Sequence, residues 1–231
     1  MAEILPILYV EGKDDIGVIN ALLHRHGVDT ERGKRHLCIK DQESVEQLLS
    51  NMPDAIKVAT ENTVGFVLDI DVQVSKRWQA VQDRLRAIGL TMPDLCPGNG
   101  YVGRMPDYPK EFGIWLMPDC ATDGQMLEHL IETLLPAGDP LWPHAKHSTA
   151  EAIALVDNAN RSIADGERKW KRFGDQERIK AEVHSWLAWQ REPGAPLGAA
   201  INDHILGHDS PQAMAFLRWI KRLFAIAGLT V

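Results

Sequence analysis

Three acidic residues follow two of the most apolar stretches of the chain. Glu11 comes directly after residues 4–10, and Asp69 and Asp71 stand at the end of residues 63–70. In an extended backbone, side chains two residues apart point to the same side, so we expect the carboxylates of Asp69 and Asp71 to lie close together. Such like charges repel each other unless a cation joins them, and hard cations prefer oxygen ligands. The pattern predicts a site for Mg²⁺ or Mn²⁺.

A fold that unites these residues must bring the ends of two distant stretches together. Strand-like stretches alternate with helix-like stretches over the first half of the chain. Strands are predicted at residues 4–10, 35–39, 63–70 and 112–117, and helices at about 16–27, 44–53, 78–89 and 126–134. This alternation predicts an α/β fold, a mostly parallel sheet with helices on both faces. Parallel strands end at one edge of the sheet, where ligands of such folds bind.

The second half of the chain carries helical patterns only. They cover about 147–163, 176–191 and 210–227, after a link rich in proline and glycine at 136–143. We therefore expect an α/β domain of residues 1–137 and a C-terminal helical extension of residues 138–231 packed on it.

Composition narrows the function classes. The formal net charge of −7 argues against a permanently bound nucleic-acid coat protein. There is no apolar run long enough to cross a bilayer and no secretory leader pattern, so we expect no membrane association. Cys38, Cys96 and Cys120 are far apart in sequence and form no metal-binding spacing, which favours reduced thiols and a cytoplasmic protein.

Two segments together resemble the signature of Toprim domains. Leu-Tyr-Val-Glu-Gly-Lys-Asp-Asp at residues 8–15 is followed by Val-Leu-Asp-Ile-Asp at residues 67–71. The signature is a glutamate after the first strand and an Asp-x-Asp after a later one. Toprim domains occur in topoisomerases, primases, recombination proteins and nucleases of the OLD type. The resemblance implies Mg²⁺ binding and action on phosphodiester bonds.

A narrower likeness extends over most of the chain. Gly-Ile-Trp-Leu-Met-Pro-Asp at residues 113–119 and Trp-Leu-Ala-Trp-Gln at residues 186–190 resemble a little-characterised bacterial family of small, stand-alone Toprim-like proteins. So do Gly124, the Leu-Glu pair at residues 127–128 and the Pro-Gly pair at residues 193–194.

The resemblance assigns roles residue by residue. It implies that Asp69 and Asp71 are metal ligands and that Glu11 is a ligand or an acid–base group. Glu128 resembles the further acidic position at which OLD-type nucleases hold a second metal. Lys180 resembles a lysine with which some Toprim nucleases stabilise developing charge.

Two further aspartates lie in the loop after the strand at 112–117. Asp119 ends that strand and is a candidate to join the metal-binding carboxylates. We expect Asp123 to cap the helix that follows it.

A basic segment in the second half is a candidate for nucleic-acid contact. Trp170 and Phe173 are interleaved with basic residues that could bind phosphates, namely Arg168, Lys169, Lys171 and Arg172. The alternative is a solvated basic loop. Residues 98–103 match G-x-G-x-x-G, but Pro97 and Pro106 flank them, so we expect a glycine-rich loop and no dinucleotide site.

Three functions follow from these observations. The leading hypothesis is a Toprim-type, Mg²⁺-dependent phosphodiester-cleaving enzyme that meets DNA or RNA transiently, in nucleic-acid processing or defence. One alternative is a catalytically silent Toprim-like metal- or nucleic-acid-binding module that acts with a protein partner or as a homodimer. The other is a nucleotide phosphatase or phosphotransferase.

Overall fold

The fold is described from a computed structural model. It describes residues 5–30, 36–106, 108–164, 167, 169–171, 173–174 and 177–231. Contacts within the chain divide it into two compact units. The first unit is discontinuous and comprises Met1–Leu134 and Pro196–Val231, and the second is Leu135–Ala195.

The first unit contains a five-stranded, mostly parallel sheet. Its order is β2-β1-β3-β5-β4, and only β4 runs antiparallel, beside β5 at one edge. β3 is buried along almost its whole length, as expected of a central strand covered on both faces. The strands are β1 (Ile7–Val10), β2 (Cys38–Asp41), β3 (Val64–Asp69), β4 (Tyr101–Arg104) and β5 (Glu111–Met117).

Eight helices lie in the described part of the chain. Six belong to the first unit: α1 (Lys13–Arg25), α2 (Val45–Val58), α3 (Val74–Arg86), α4 (Leu127–Thr133), α7 (Leu197–Asn202) and α8 (Pro211–Phe224). The second unit holds α5 (Leu141–Arg161) and α6 (Arg178–Ala188). No helix in the described residues is both long enough and apolar enough to pass through a lipid bilayer.

The order of the strands creates a crevice between β1 and β3. The chain goes from β1 outward to β2 and then returns past β1 to β3, and all three strands are parallel. Right-handed crossovers in opposite directions put α1 and α2 on opposite faces of the sheet. The connections therefore diverge at the carboxyl ends of β1 and β3, which is where ligands of open α/β sheets bind.

Aromatic side chains join each face of the sheet to a helix. On one face, the Trp115 ring lies 5.7 Å from the Trp219 ring of α8. Gly113 leaves room for this helix, because a Cβ there would lie 2.5 Å from Leu223. On the other face, Tyr101 of β4 contacts the α3 side chain Trp78, with ring centroids 5.9 Å apart.

Hydrogen bonds to Asp139 connect the two helices of the second unit. One carboxylate oxygen of Asp139 accepts main-chain hydrogen bonds from Leu141 and Trp142 at the start of α5. The same oxygen accepts the indole N–H of Trp186, on α6, at 3.1 Å. A single side chain thus caps one helix of this unit and binds the other.

The predicted α/β fold is confirmed, and four local features differ from expectation. Residues 101–104, expected within a loop, form β4, because main-chain pairing with β5 supplies the hydrogen bonds that a weak apolar pattern does not indicate. Pro53 lies inside α2 and does not end it. α5 begins before the expected helix and includes Pro143 in its first turn, where a main-chain N–H has no partner within the helix. The short helix α7 was not anticipated.

The unit boundaries also differ from the expected division at residue 137. Residues 196–231 belong with the sheet, because α7 packs on α1 and α8 packs on α1 and β5. The helical part that stands as a separate unit is therefore limited to Leu135–Ala195.

The contact between α1 and α7 yields a matched pair of variants. A Cβ at Gly198 would lie 2.3 Å from the Gly17 carbonyl oxygen, whereas a Cβ at Gly17 would meet nothing closer than 3.8 Å. We expect Gly198→Ala to lower the free energy of unfolding by about 1–3 kcal/mol through overpacking. Gly17→Ala should leave it unchanged or raise it by up to about 1 kcal/mol, since alanine favours the helix. Urea denaturation of both variants measures this, and equal stability of the two would contradict the packing argument.

Candidate functional site

Glu11 joins the ends of β1 and β3. Its Oε1 accepts the main-chain N–H of Asp69 at 2.8 Å, although the two residues are 58 positions apart. The hydrogen bond holds the glutamate at the crevice where the strand connections diverge. The structure thus brings together Glu11 and Asp69, as their positions at strand ends predicted.

Asp69 in turn connects β3 to α4. Its Oδ1 accepts the main-chain N–H of Leu127, the first residue of α4, at 2.9 Å. This contact fixes the start of α4 beside the strand end. The next residue, Glu128, is consequently held inside the crevice and is only 5% exposed.

Asp15 is a fourth carboxylate in the same crevice. It lies in the first turn of α1, and its Oδ2 accepts the Gly12 N–H at 2.9 Å, so it closes the turn between β1 and α1. Asp15 is 8% exposed. Its negative charge acts on Asp69, and the charge of Glu128 acts on Asp15.

Asp71 lies in the cluster, but its backbone is not extended as expected. β3 ends at Asp69, and Asp71 has a φ of 60°, so the rule for neighbours in an extended strand does not apply. Aspartate tolerates this left-handed conformation better than most residues, and the Asp71 N–H is bound by the Gln125 carbonyl at 2.9 Å. The Asp71 carboxylate forms an ion pair with Arg77 of α3.

The five acidic residues Glu11, Asp15, Asp69, Asp71 and Glu128 form what we call the carboxylate cluster. Removal from water, reinforced by the neighbouring carboxylates, raises the pKa of Asp69 well above its ordinary value. Burial also raises the pKa of Glu11 from 4.5 to about 7 and that of Asp15 from 3.8 to about 6. Arg77 opposes the shift at Glu11, but it does not cancel it. The buried members of the cluster therefore retain protons at pH values where exposed carboxyls are fully ionised.

The two aspartates of the loop after β5 bind groups outside the carboxylate cluster. Asp119 turns towards its own loop, where its carboxylate accepts the N–H groups of Ala121 and Thr122, both at 2.9 Å, and the Thr122 hydroxyl at 2.7 Å. The expectation that Asp123 caps the following helix is wrong. It accepts the Val74 N–H at 2.8 Å and so caps the preceding helix α3, because the start of α4 is already bound by Asp69.

The remaining predicted residues lie in the second unit. Lys180 is exposed on α6, and its proposed catalytic role stays a prediction. Lys169 and Lys171 are exposed, as is Trp170, whose N–H and carbonyl both bind the Asn160 side chain. Arg168 and Arg172 lie outside the described residues.

Sequence reasoning missed two members of the site. Asp15 enters the sequence analysis only as the last residue of the motif at residues 8–15, although an acidic residue at the third position after Gly12 is the usual sign of a helix-capping carboxylate. Arg77 lies on the amphipathic helix α3, and no spacing rule links it to Asp71. Its Nε is buried and has no hydrogen-bond partner in the part of the chain that the structure describes.

The chemistry of the cluster suits a hard divalent cation, but its side chains are not arranged around one. Every donor is a carboxylate oxygen, and a cation would offset both the burial of the Asp69 charge, which is the main cause of its raised pKa, and the repulsion from its neighbours. Within the described ranges, however, no three His, Cys, Asp or Glu side chains are positioned to hold a metal ion. Glu11, Asp15 and Asp69 each use one oxygen for a main-chain N–H, so cation binding would fall to the second oxygen of each carboxylate.

The fold and the cluster define an α/β protein with an acidic crevice at the switch point of its sheet. The chain belongs to the family described as "Protein of unknown function (DUF3226)", whose model matches residues 6–225. Searches of curated proteins and of solved structures found no match to the chain.

The raised pKa values predict how stability depends on pH. Between about pH 4.5 and 7 the folded protein retains a proton on Glu11 that the unfolded chain releases, so this residue lowers the free energy of unfolding as pH rises through that window. Glu11→Gln keeps an acceptor for the Asp69 N–H but cannot ionise. We expect it to stabilise the protein by on the order of 1–2 kcal/mol at pH 8 and to have little effect at pH 4.5.

Urea denaturation at several pH values, with a chelator present, tests this expectation. Glu61→Gln changes an exposed glutamate and is the control, which should be neutral at every pH. A Glu11→Gln variant that is less stable than the wild type at pH 8 would show that the ionised carboxylate stabilises the crevice.

Proposed function

We propose that this protein is a Toprim-type, Mg²⁺-dependent phosphodiester-cleaving enzyme that acts on DNA or RNA in the cytoplasm, with Mn²⁺ as an alternative cofactor. The observation that carries the proposal is the carboxylate cluster at the carboxyl ends of β1 and β3. Its members come from the ends of β1 and β3, from the following loop and from the first turns of α1 and α4. The Toprim-like motifs at residues 8–15 and 67–71 contain four of the five acids.

The proposal assigns roles to four acids of the cluster and to Arg77. Asp69, Asp71 and Glu128 would hold the cation, and Glu11 would share in holding it or take the proton of the attacking water. The bound cation would activate that water and offset charge on the phosphate oxygens. Arg77 contacts the cluster through Asp71, and its guanidinium can donate to phosphate oxygens when it leaves Asp71.

Metal binding should appear first as an increase in stability. A cation that binds only the folded protein raises the free energy of unfolding, by about 2.7 kcal/mol at a concentration one hundred times its dissociation constant. We expect Mn²⁺ and Mg²⁺ to raise the thermal midpoint of the wild type, and Asp69→Asn and Glu128→Gln to lose most of that increment. Asp119→Asn changes a strand-end aspartate outside the cluster and should keep it. If the midpoint of the wild type does not respond to either cation, the metal assignment fails.

Activity is tested by cleavage assays on single-stranded and double-stranded DNA and RNA with each cation. Glu11→Gln and Asp71→Asn should lower kcat by at least about a hundredfold, since both remove a charged group at the reacting phosphate. Asparagine accepts the left-handed backbone at residue 71, so this variant should fold. Wild-type rates in both variants would exclude the proposed mechanism.

One observation favours a second candidate, a catalytically silent module that binds nucleic acid or a partner. In the described residues no three ligands are arranged for one cation, and the Asp71 carboxylate is engaged by Arg77. This candidate predicts that the protein binds DNA or RNA but cleaves it in no assay. It also predicts that neither cation changes the thermal midpoint.

A further inference from the structure

A cavity of about 580 Å³ is formed by α3 and two loops, outside the carboxylate cluster. Its volume is within the range of small-molecule binding sites, roughly 300–1,000 Å³. One wall is the first half of α3, another is the loop that contains Asp94 and Leu95, and the third is the loop that contains Ala121 and Asp123.

The loop that contains Asp123 and Gln125 connects the cavity with the cluster. Asp123 lines the cavity and binds the Val74 N–H, while Gln125 of the same loop binds the Asp71 N–H. Val74 follows Asp71 by three residues, so their Cα atoms are at most about 11 Å apart. The lining of the cavity thus begins within this distance of a cluster residue, a span that a single nucleotide can cover.

The lining of the cavity selects against phosphate and in favour of a neutral heterocycle. Among the described residues that line it are two carboxylates, Asp94 and Asp123, and no lysine or arginine. Its apolar part includes Leu95, which is 80% exposed and would be covered by a flat ring. The exposed Asp94 carboxylate accepts no hydrogen bond from the described part of the chain, so it is available to a ligand that donates.

We propose that this cavity binds the base of the nucleotide whose phosphate is cleaved, and that it prefers bases with an exocyclic amine to uracil and thymine. This inference rests on the proposed function. A carboxylate accepts hydrogen bonds from the amino groups of cytosine, adenine and guanine. The single ring N–H of uracil lies between two carbonyl oxygens, which Asp94 repels.

Equilibrium dialysis of the full-length protein with nucleosides, in the presence of a chelator, tests the cavity separately from catalysis. Cytidine and uridine form the decisive pair because they have nearly the same size. We expect cytidine to bind at least about fivefold more tightly than uridine, the size of one good base contact. Asp94→Asn should abolish this preference, and Ala121→Trp should fill the cavity and weaken both nucleosides.

Asp54→Asn is the control, since it changes an exposed aspartate of α2 that does not line the cavity, and it should keep the preference. Equal binding of cytidine and uridine, no binding of either, or an unchanged preference in Asp94→Asn overturns the inference. A cytidine preference in a protein that cleaves no phosphodiester would support the base site and refute the proposed function. Cleavage of phosphodiesters without a base preference would support the proposed function and refute the base site.

Discussion

The crowding of carboxylates at the ends of β1 and β3 is the constraint around which the first unit is organised. Three of the acids are held by main-chain N–H groups, and these hydrogen bonds also set the turn into α1, the spacing of the two strand ends and the start of α4. The same contacts that build the fold therefore bring negative charges together. Folding has to remove these carboxylates from water and place them beside one another, and the raised pKa values of Glu11, Asp15 and Asp69 express the cost of burial first and of repulsion second. Structure that tolerates such an unfavourable arrangement is typical of functional sites.

The sheet and the first members of the cluster could be predicted from the sequence because strong local patterns encode them. The apolar strand at residues 64–69 and the acids that follow it specify both a central strand and its carboxyl end. Right-handed connections then place Glu11 and Asp69 at one edge without any knowledge of side-chain contacts. Where these two rules apply, the sequence-based expectation and the structure agree.

The remaining features depend on contacts between distant residues, which local patterns do not contain. Arg77 joins the site only because α3 starts next to the Asp71 turn, and Asp123 caps α3 only because Asp69 already binds the start of α4. β4 forms because β5 offers an unpaired edge, although its own apolar pattern is weak. Cys96 and Cys120, far apart in sequence, both line one cavity, and burial, reinforced by the proximity of Cys96, raises the pKa of the Cys120 thiol.

The discontinuity of the first unit has a practical consequence for dissecting the protein. The chain leaves this unit at Leu134 and re-enters it at Pro196, and the Leu134 carbonyl accepts the Gly207 N–H at 2.7 Å. Residues 135–195 are thus a segment that leaves the first unit and returns to it, which we call the excursion. A truncation after residue 137 would strip α8 from the sheet and bare Trp115, whereas excising the excursion and bridging its ends would keep every strand, α7 and α8. Such an internal deletion would show whether the crevice forms without residues 135–195.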